Sequence, residues 1–249
     1  MSEGFDPAYF ERLAELEPRS FWYRSRNRLI VSTLRRHFPE AGSLLEVGCG
    51  TGFVLAGLRR ELPALRLVGS ELFPEGLRFA RERLGPDVEL VELDARSMPY
   101  EREFDVVGAF DVIEHVPEDV DVLAGMRRAV VDGGGLLLTV PQHPRLWSRY
   151  DTFSHHVRRY TRRDVVQKVE QAGFDVLQVT SFVTFLLPGL VASRVVDRLG
   201  RGPSDPLAAL EPGRLNGVFE RILDAERRLI ERGVSLPAGG SLLLAARAR

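Results

Sequence analysis

The chain has 249 residues, 44% of them hydrophobic and 28% charged, an ordinary globular balance that can fill a sizeable core and favours one α/β domain over two. Its net charge of −1 gives no support for a nucleic-acid or membrane partner recognised through bulk charge. The lone Cys49 excludes an internal disulfide and fits a reducing, cytoplasmic setting; no basic segment followed by an apolar run marks a signal peptide.

Residues 8–17 and 20–37 read as two helices separated by Pro18, with Ser20 as candidate N-cap of the second. The second opens with Phe21-Trp22-Tyr23 and carries Arg24, Arg26 and Arg28. Strands and helices then alternate, which predicts a mostly parallel sheet covered by crossover helices. Strands are expected at 43–47, 66–70, 88–92, 104–109, 136–140, 174–180 and 241–246, with helices at 53–61, 74–84, roughly 118–131 and 161–172. Asp132-Gly133-Gly134-Gly135 reads as the turn into the fifth strand. Two stretches fall outside this alternation. Residues 141–160 read as a loop holding His143, His155 and His156, and residues 141–170 carry seven basic residues against three acidic ones. Residues 182–238 contain an apolar run, Phe182–Val196, interrupted by Pro188-Gly189, then a Pro/Gly-containing linker over 201–213 and an amphipathic helix over 215–232. No apolar run reaches the roughly 20 residues of a membrane-spanning helix. The fold expected is a three-layer α/β sandwich in one domain, 1–249, with N-terminal helices over 8–37 and a helical cap inserted at 182–238.

The most informative stretch is Leu44-Leu45-Glu46-Val47-Gly48-Cys49-Gly50-Thr51-Gly52. Three glycines at every second position follow a short buried strand and precede a helix. Glycine allows a sharp turn with positive φ and lets a ligand touch the main chain, and a strand-loop-helix of this kind holds a ligand above the carboxyl end of a parallel sheet. Dinucleotide sites use G-x-G-x-x-G; the spacing here is G-x-G-x-G. It resembles motif I of the class I S-adenosylmethionine (SAM) methyltransferases, which have a Rossmann-like fold. Three further elements agree with that family in order. Glu71 ends the second strand, nineteen residues after Gly52, where a carboxylate can accept from ribose hydroxyls. Asp94-Ala95 begins Asp-Ala-Arg-Ser-Met-Pro after the third strand. Phe110-Asp111-Val112-Ile113-Glu114-His115-Val116 follows the fourth and resembles a D-x-x-E-H-V stretch of this class. The resemblance covers about residues 40–180 and is nearest to the type 11/12 branch and the ubiquinone-pathway O-methyltransferases.

The resemblance implies a seventh strand inserted antiparallel between the fifth and sixth. It implies SAM contacts from Glu46, Gly48, Cys49, Gly50, Gly52, Glu71, Leu72, Asp94, Ala95 and Phe110, with S-adenosylhomocysteine (SAH) as product. It implies a leading helix over the SAM pocket, although Phe21, Trp22 and Tyr23 read equally as closure of the domain edge.

SAM carries the reactive methyl, so the protein must align a nucleophile and exclude water. His115, with Asp111 beside it, is the candidate base for removing an acceptor proton, and it reads also as a structural cap of the next helix. Trp22, His143, His156, Arg159 and Phe185 are the candidate acceptor contacts. Arg158 and Arg159 are suited either to a substrate carboxylate or phosphate or to a solvated helix entry. A metal-bound alternative uses Asp111, Glu114, His115 and His156, resembling the E-x-x-E-H plus later histidine of metal-dependent small-RNA 2′-O-methyltransferases; because D-x-x-E-H-V also occurs in metal-free relatives, the expectation is no metal. The reading is a SAM-dependent methyltransferase acting on oxygen or nitrogen of a small molecule, with no nucleic-acid partner. Its rivals are a dinucleotide-dependent oxidoreductase and a non-catalytic SAM-fold subunit. Phe182–Val196 is expected to form a two-part helical cap bringing Phe182, Phe185 or Leu186 to the methyl side of SAM; peripheral membrane contact is the less favoured use of that segment.

Overall fold

The runs Ser43–Val47 (β1), Arg66–Glu71 (β2), Glu89–Glu92 (β3), Phe104–Phe110 (β4), Val130–Pro141 (β5), Phe174–Phe182 (β6) and Ser241–Ala248 (β7) pair into one sheet, ordered β3-β2-β1-β4-β5-β7-β6. The computed structural model describes residues 9–201, 205 and 211–249. Residue 8 of the expected first helix and residues 202–204 and 206–210 of the expected linker lie outside the described residues. Strands β1 to β5 pair in parallel, and β7 is antiparallel to both β5 and β6, as the resemblance implied. Leu242, Leu243, Leu244, Ala245 and Ala246 are all buried. An unbroken apolar run of this sort belongs to a strand covered on both faces rather than on one.

The covering helices come from the alternating segments. On one face Phe21–His37 (α2), Phe53–Glu61 (α3) and Pro74–Leu84 (α4) bury Ile30, Leu34, Leu55, Leu58 and Leu77 against Leu44 and Val106. On the other, Asp119–Ala129 (α5) and Arg162–Gln171 (α7) bury Val122, Leu123, Met126, Val165 and Val169 against Leu45, Val107 and Leu138. Tyr9–Leu16 (α1) lies beside α4, and Asn216–Glu231 (α9) lies beside α2, with Leu223 and Ile230 packed on Leu29, Phe182 and Leu243. Truncating a fully buried leucine such as Leu55 or Leu58 should cost about 2–5 kcal/mol, transfer and cavity terms together.

Four expectations need correction. Ser20 does not cap α2 through its side chain; its Oγ is buried without a partner among the described residues, while its carbonyl accepts from Arg24 N–H. Strand β5 begins at Val130, not 136: Val130 pairs with Phe104, and the register slips before Val106 meets Gly135. Gly133, at φ 76°, lets the strand kink there, so Asp132–Gly135 is an irregularity within β5. Residues 141–160 are not all loop, since Arg149–Phe153 forms a short helix (α6) whose first turn is fastened by Ser148 N–H and Oγ–H donating to Asp151 at 2.8 Å. Finally, Pro188 does not interrupt a helix. It sits in the first turn of Leu187–Arg198 (α8), where the absent N–H has no partner to lose. Helix α8 buries none of its residues fully, and it is Phe182 and Val183, ahead of it, that pack with Leu223 and Ile230 of α9. Among the described residues no helix is long and apolar enough to cross a membrane.

Candidate active site

Strands β1, β2 and β4 end level with one another, Val47 standing between Ser70 and Ala109, so the loops that leave them meet above one sheet edge. Gly48 and Gly50 turn with φ 68° and 54°. A Cβ on Gly48 would stand 2.7 Å from the Val112 side chain, so the position admits glycine alone. Gly52, at φ 74°, does not line the cavity described below; it starts α3 and packs against Ala80 and Leu84. The Glu71 carboxylate accepts from Gly50 N–H at 2.9 Å and Phe73 N–H at 3.1 Å, which ties the glycine loop to the end of β2. Burial raises its pKa while those backbone donors pull it down. Glu46 is buried with Oε2 unpartnered among the described residues, and burial pushes its carboxyl well above the usual range. Asp94 takes a two-pronged contact from the Arg96 guanidinium, at 3.0 Å from Nε and 2.6 Å from Nη2, and this holds its pKa low.

These residues, with Cys49, Leu72, Ala95 and Phe110, line part of a cavity of about 1340 Å³ bounded by the described residues. Single-ligand pockets commonly measure about 300–1,000 Å³, so this one has room for two small ligands side by side. Helices α1 and α2 wall one side. Phe10 contacts Gly76 and faces the Phe73 ring at 6.1 Å. Arg83 fastens α1 to the glycine loop, donating to Glu17 at 2.6 Å, Ala14 O at 3.0 Å and Thr51 O at 3.1 Å. Arg26 is buried, stacks over Trp22 at 4.7 Å, and pairs with Asp111. Asp111 itself is left-handed at φ 59°, an uncommon conformation for a residue with a side chain. It is held there by its own N–H donating to Thr139 O at 2.9 Å and by Thr139 Oγ–H donating to its carboxylate at 3.1 Å.

A second cluster faces the same cavity. Among the described residues, both oxygens of the buried Glu114 lack hydrogen-bond partners, as does His115 Nδ1. His156 Nδ1 contacts Asp151 at 3.0 Å, and its ring meets His115 edge-on at 4.7 Å. One ligand atom from each of Glu114, His115 and His156 lies within 4.8 Å of the others. One carboxylate and two imidazoles, one of them braced by a carboxylate, form a donor set suited to a divalent transition metal. Asp111, expected in this set, is instead committed to Arg26. Burial, with help from His156, lowers the His115 pKa to about 3, so the ring is neutral near pH 7. Burial pushes the Glu114 carboxyl well above its usual range, with Asp111 adding to the effect. Burial works against ionisation of Asp151 too, but the His156 contact, Arg159 and Ser148 overcome it and bring its pKa to about 2.

Of the other expected acceptor contacts, Trp22, His156, Arg159 and Phe185 line the cavity and His143 does not. Arg159 has its donors engaged, with Gln142 O at 3.0 Å, Leu146 O at 3.2 Å, Gly240 O at 3.0 Å and Asp151 at 3.1 Å. Arg158 pairs with Asp119 and reaches Pro117 O at 2.8 Å. Phe182 is buried beside α9, whereas Phe185 and Leu186 reach the cavity. Sequence reading passed over Arg26, Tyr150, Asp151 and Arg194 as cavity residues. Arg26 had a signal, standing one helical turn after Trp22 and Tyr23; Asp151 had only its place five residues before His156.

A protein family described as "Methyltransferase domain" matches residues 21–179. Trans-aconitate 2-methyltransferase of Azoarcus sp. (strain BH72) is 31% identical over 122 residues, 49% of this chain and 46% of that protein. Ubiquinone biosynthesis O-methyltransferase of Thiobacillus denitrificans is 29% identical over 126 residues, 49% of each. The chain thus spans about half the length of these curated relatives. Phosphoethanolamine N-methyltransferase 2 of Haemonchus contortus, solved with SAM, shares the fold with a TM-score of 0.60 at 19% identity, over 90% of this chain and 52% of that one.

Proposed function

The chain belongs to the methyltransferase-domain family, of the class I SAM-dependent kind with SAM as cofactor, and we propose that it methylates an oxygen or nitrogen of a small-molecule acceptor. The observation that carries this reading is that the Gly48–Gly50 turn, Glu71 and Asp94 line one cavity with volume left over. Bound SAM supplies a methyl activated by its sulfonium, so what remains for the protein is binding, alignment and exclusion of water. Glu71 would accept from the ribose hydroxyls, Asp94 and the Ala95 N–H would hold the adenine edge, and Leu72 would pack on its plane. Backbone at Phe110 and Asp111 would hold the methionine end, beside the bare main chain of Gly48.

The acceptor occupies the remaining volume near His115, Tyr150 and Phe185. When bound, SAM would supply the methyl and keep the carbon–sulfur electron pair as SAH; any proton on the acceptor atom would leave to solvent or to a neighbouring base. A histidine held near pKa 3 takes up a proton reluctantly at pH 7. His115 therefore acts chiefly as a neutral acceptor that orients an O–H or N–H through Nδ1. A second reading makes Glu114, His115 and His156 the holders of a divalent cation that draws an acceptor oxygen into line, and the unpartnered Glu114 oxygens favour it.

Calorimetry tests the first reading: SAH should bind and NAD(H) should not, and the opposite pair of results would sink it. Chelation tests the second, with activity lost and then restored by Mg2+ or Mn2+; activity indifferent to both removes the cation. For His115→Ala the reading expects SAH binding to persist and turnover to fall less than the roughly 10²-fold or more expected for loss of a general base.

A further inference from the structure

We propose that Arg194 recognises an anionic group, a carboxylate or phosphate, on an acceptor whose body is apolar. This rests on the methyltransferase reading for the identity of the bound molecule as acceptor. The first observation is an inversion of the usual helix pattern. A surface helix turns its apolar residues inward and its charges outward, yet Val191, Val195 and Val196 of α8 are 41%, 50% and 43% exposed, while Arg194 is half-buried and lines the cavity. Arg194 is the one charged residue of the stretch 182–196.

The second observation is that this inward cation has no partner among the described residues. Its Nε is buried without a hydrogen bond, and no carboxylate pairs with it. Each of the other arginines on this cavity does have a partner: Arg26 pairs with Asp111, Arg96 with Asp94 and Arg159 with Asp151. The carboxylates that reach Arg194 electrostatically, Asp151 and Asp197, are already paired, with Arg159 at 3.1 Å and Arg149 at 2.6 Å. Arg194 therefore leaves one positive charge uncompensated in the cavity wall. A guanidinium stays protonated under such conditions, and withdrawing one from water without a counter-charge is unfavourable. A planar oxyanion meets its fork with two parallel hydrogen bonds and offsets that loss. The remainder of the wall here is apolar, with Phe185, Leu186 and Leu190 lining the same side. Arg158 and Arg159, which the sequence offered for this task, are occupied elsewhere.

Octanoate, octyl phosphate and octanol serve as matched probes, titrated calorimetrically into the full chain with and without SAH. Wild type should bind at least one of the two anions about tenfold or more tighter than octanol, and the tighter of the two distinguishes carboxylate from phosphate. Arg194→Gln should erase that preference while SAH affinity stays unchanged and the melting temperature does not fall; Arg194→Lys should retain part of it. Equal binding of anions and octanol by wild type overturns the proposal, as does a preference that survives in Arg194→Gln, or a loss of SAH affinity equal to the loss of anion affinity. Failure of wild type to bind SAH while the anion preference holds would instead sink the methyltransferase reading and leave Arg194 an anion site.

Discussion

The two halves of the cavity are built by different means. On the side of β1, β2 and β3, the chemistry is local in sequence: a glycine turn, a carboxylate at a strand end and an aspartate one strand on, all between Glu46 and Arg96. Backbone conformation does most of the work, as with Gly48, whose missing side chain leaves space for Val112. On the side of β4, β5 and α8, side chains from distant segments are brought together, Arg26 and Asp111 standing 85 residues apart. Charges there are buried and matched in pairs, leaving Glu114 and Arg194 unmatched. The first half therefore depends on backbone conformation, as at Gly48, and the second on side-chain partnerships that only the folded chain brings together.

The largest effect expected from breaking this contrast is Asp151→Ala. It leaves Arg159 buried without its carboxylate, which should cost about 3–5 kcal/mol in chemical denaturation with SAH affinity nearly unchanged. A loss under about 1 kcal/mol would mean that the carbonyls around Arg159 suffice. Next is Glu71→Ala, expected to weaken SAH binding by about 1.5–3 kcal/mol, or roughly ten- to a hundredfold, because charge-assisted hydrogen bonds are removed. Unchanged affinity in a folded variant would take Glu71 out of the site.

A smaller effect concerns pH. Because His115 sits near pKa 3 when folded and near 6.5 when unfolded, the unfolded chain binds the extra proton between those values. Its contribution is fully present above about pH 6.5 and is lost on acidification, at up to about 1.4 kcal/mol per pH unit. With chelator present, the stability gap between wild type and His115→Gln should narrow as pH falls from 6.5 to 4.5; a constant gap would contradict the shift. Smallest is Glu114→Gln. A carboxyl with a raised pKa is stabilising when protonated and loses that contribution as pH rises, so in chelator at pH 8 the amide should gain about 1 kcal/mol. If added Mg2+ or Mn2+ stabilises wild type but not the variant, the cation reading gains.

The same contrast explains what could be read before the fold was known. The glycine turn, Glu71 and Asp94 were legible because their spacing along a strand-helix alternation fixes their spacing in space. The antiparallel β7 followed from the family resemblance, and its apolar run agrees with burial on both faces. Pro188 misled because proline breaks a helix interior yet suits a first turn, and only the position of the helix start separates the two. Ser20 had the composition of a cap without the geometry. The partners of Asp111, Arg158 and Arg159 depend on segments that periodicity does not bring together, and the outward valines of α8 disguise the one residue that turns inward.

The place of β7 has a consequence for how the chain is made. Strand β6 joins the sheet only through β7, pairing Phe182 with Ser241 and Phe174 with Ala248. Ribosomes add about 5–20 residues per second, so β6 is synthesised roughly 3–12 s before its partner strand. During that interval β5 and β6 both present open hydrogen-bonding edges, which are templates for pairing with other chains. The half of the sheet that carries α8 and its side of the cavity is thus the last to be assembled, and rare codons or pauses between positions 183 and 240 should increase aggregation of nascent chains, measurable as a lower soluble yield from slowed than from unslowed transcripts.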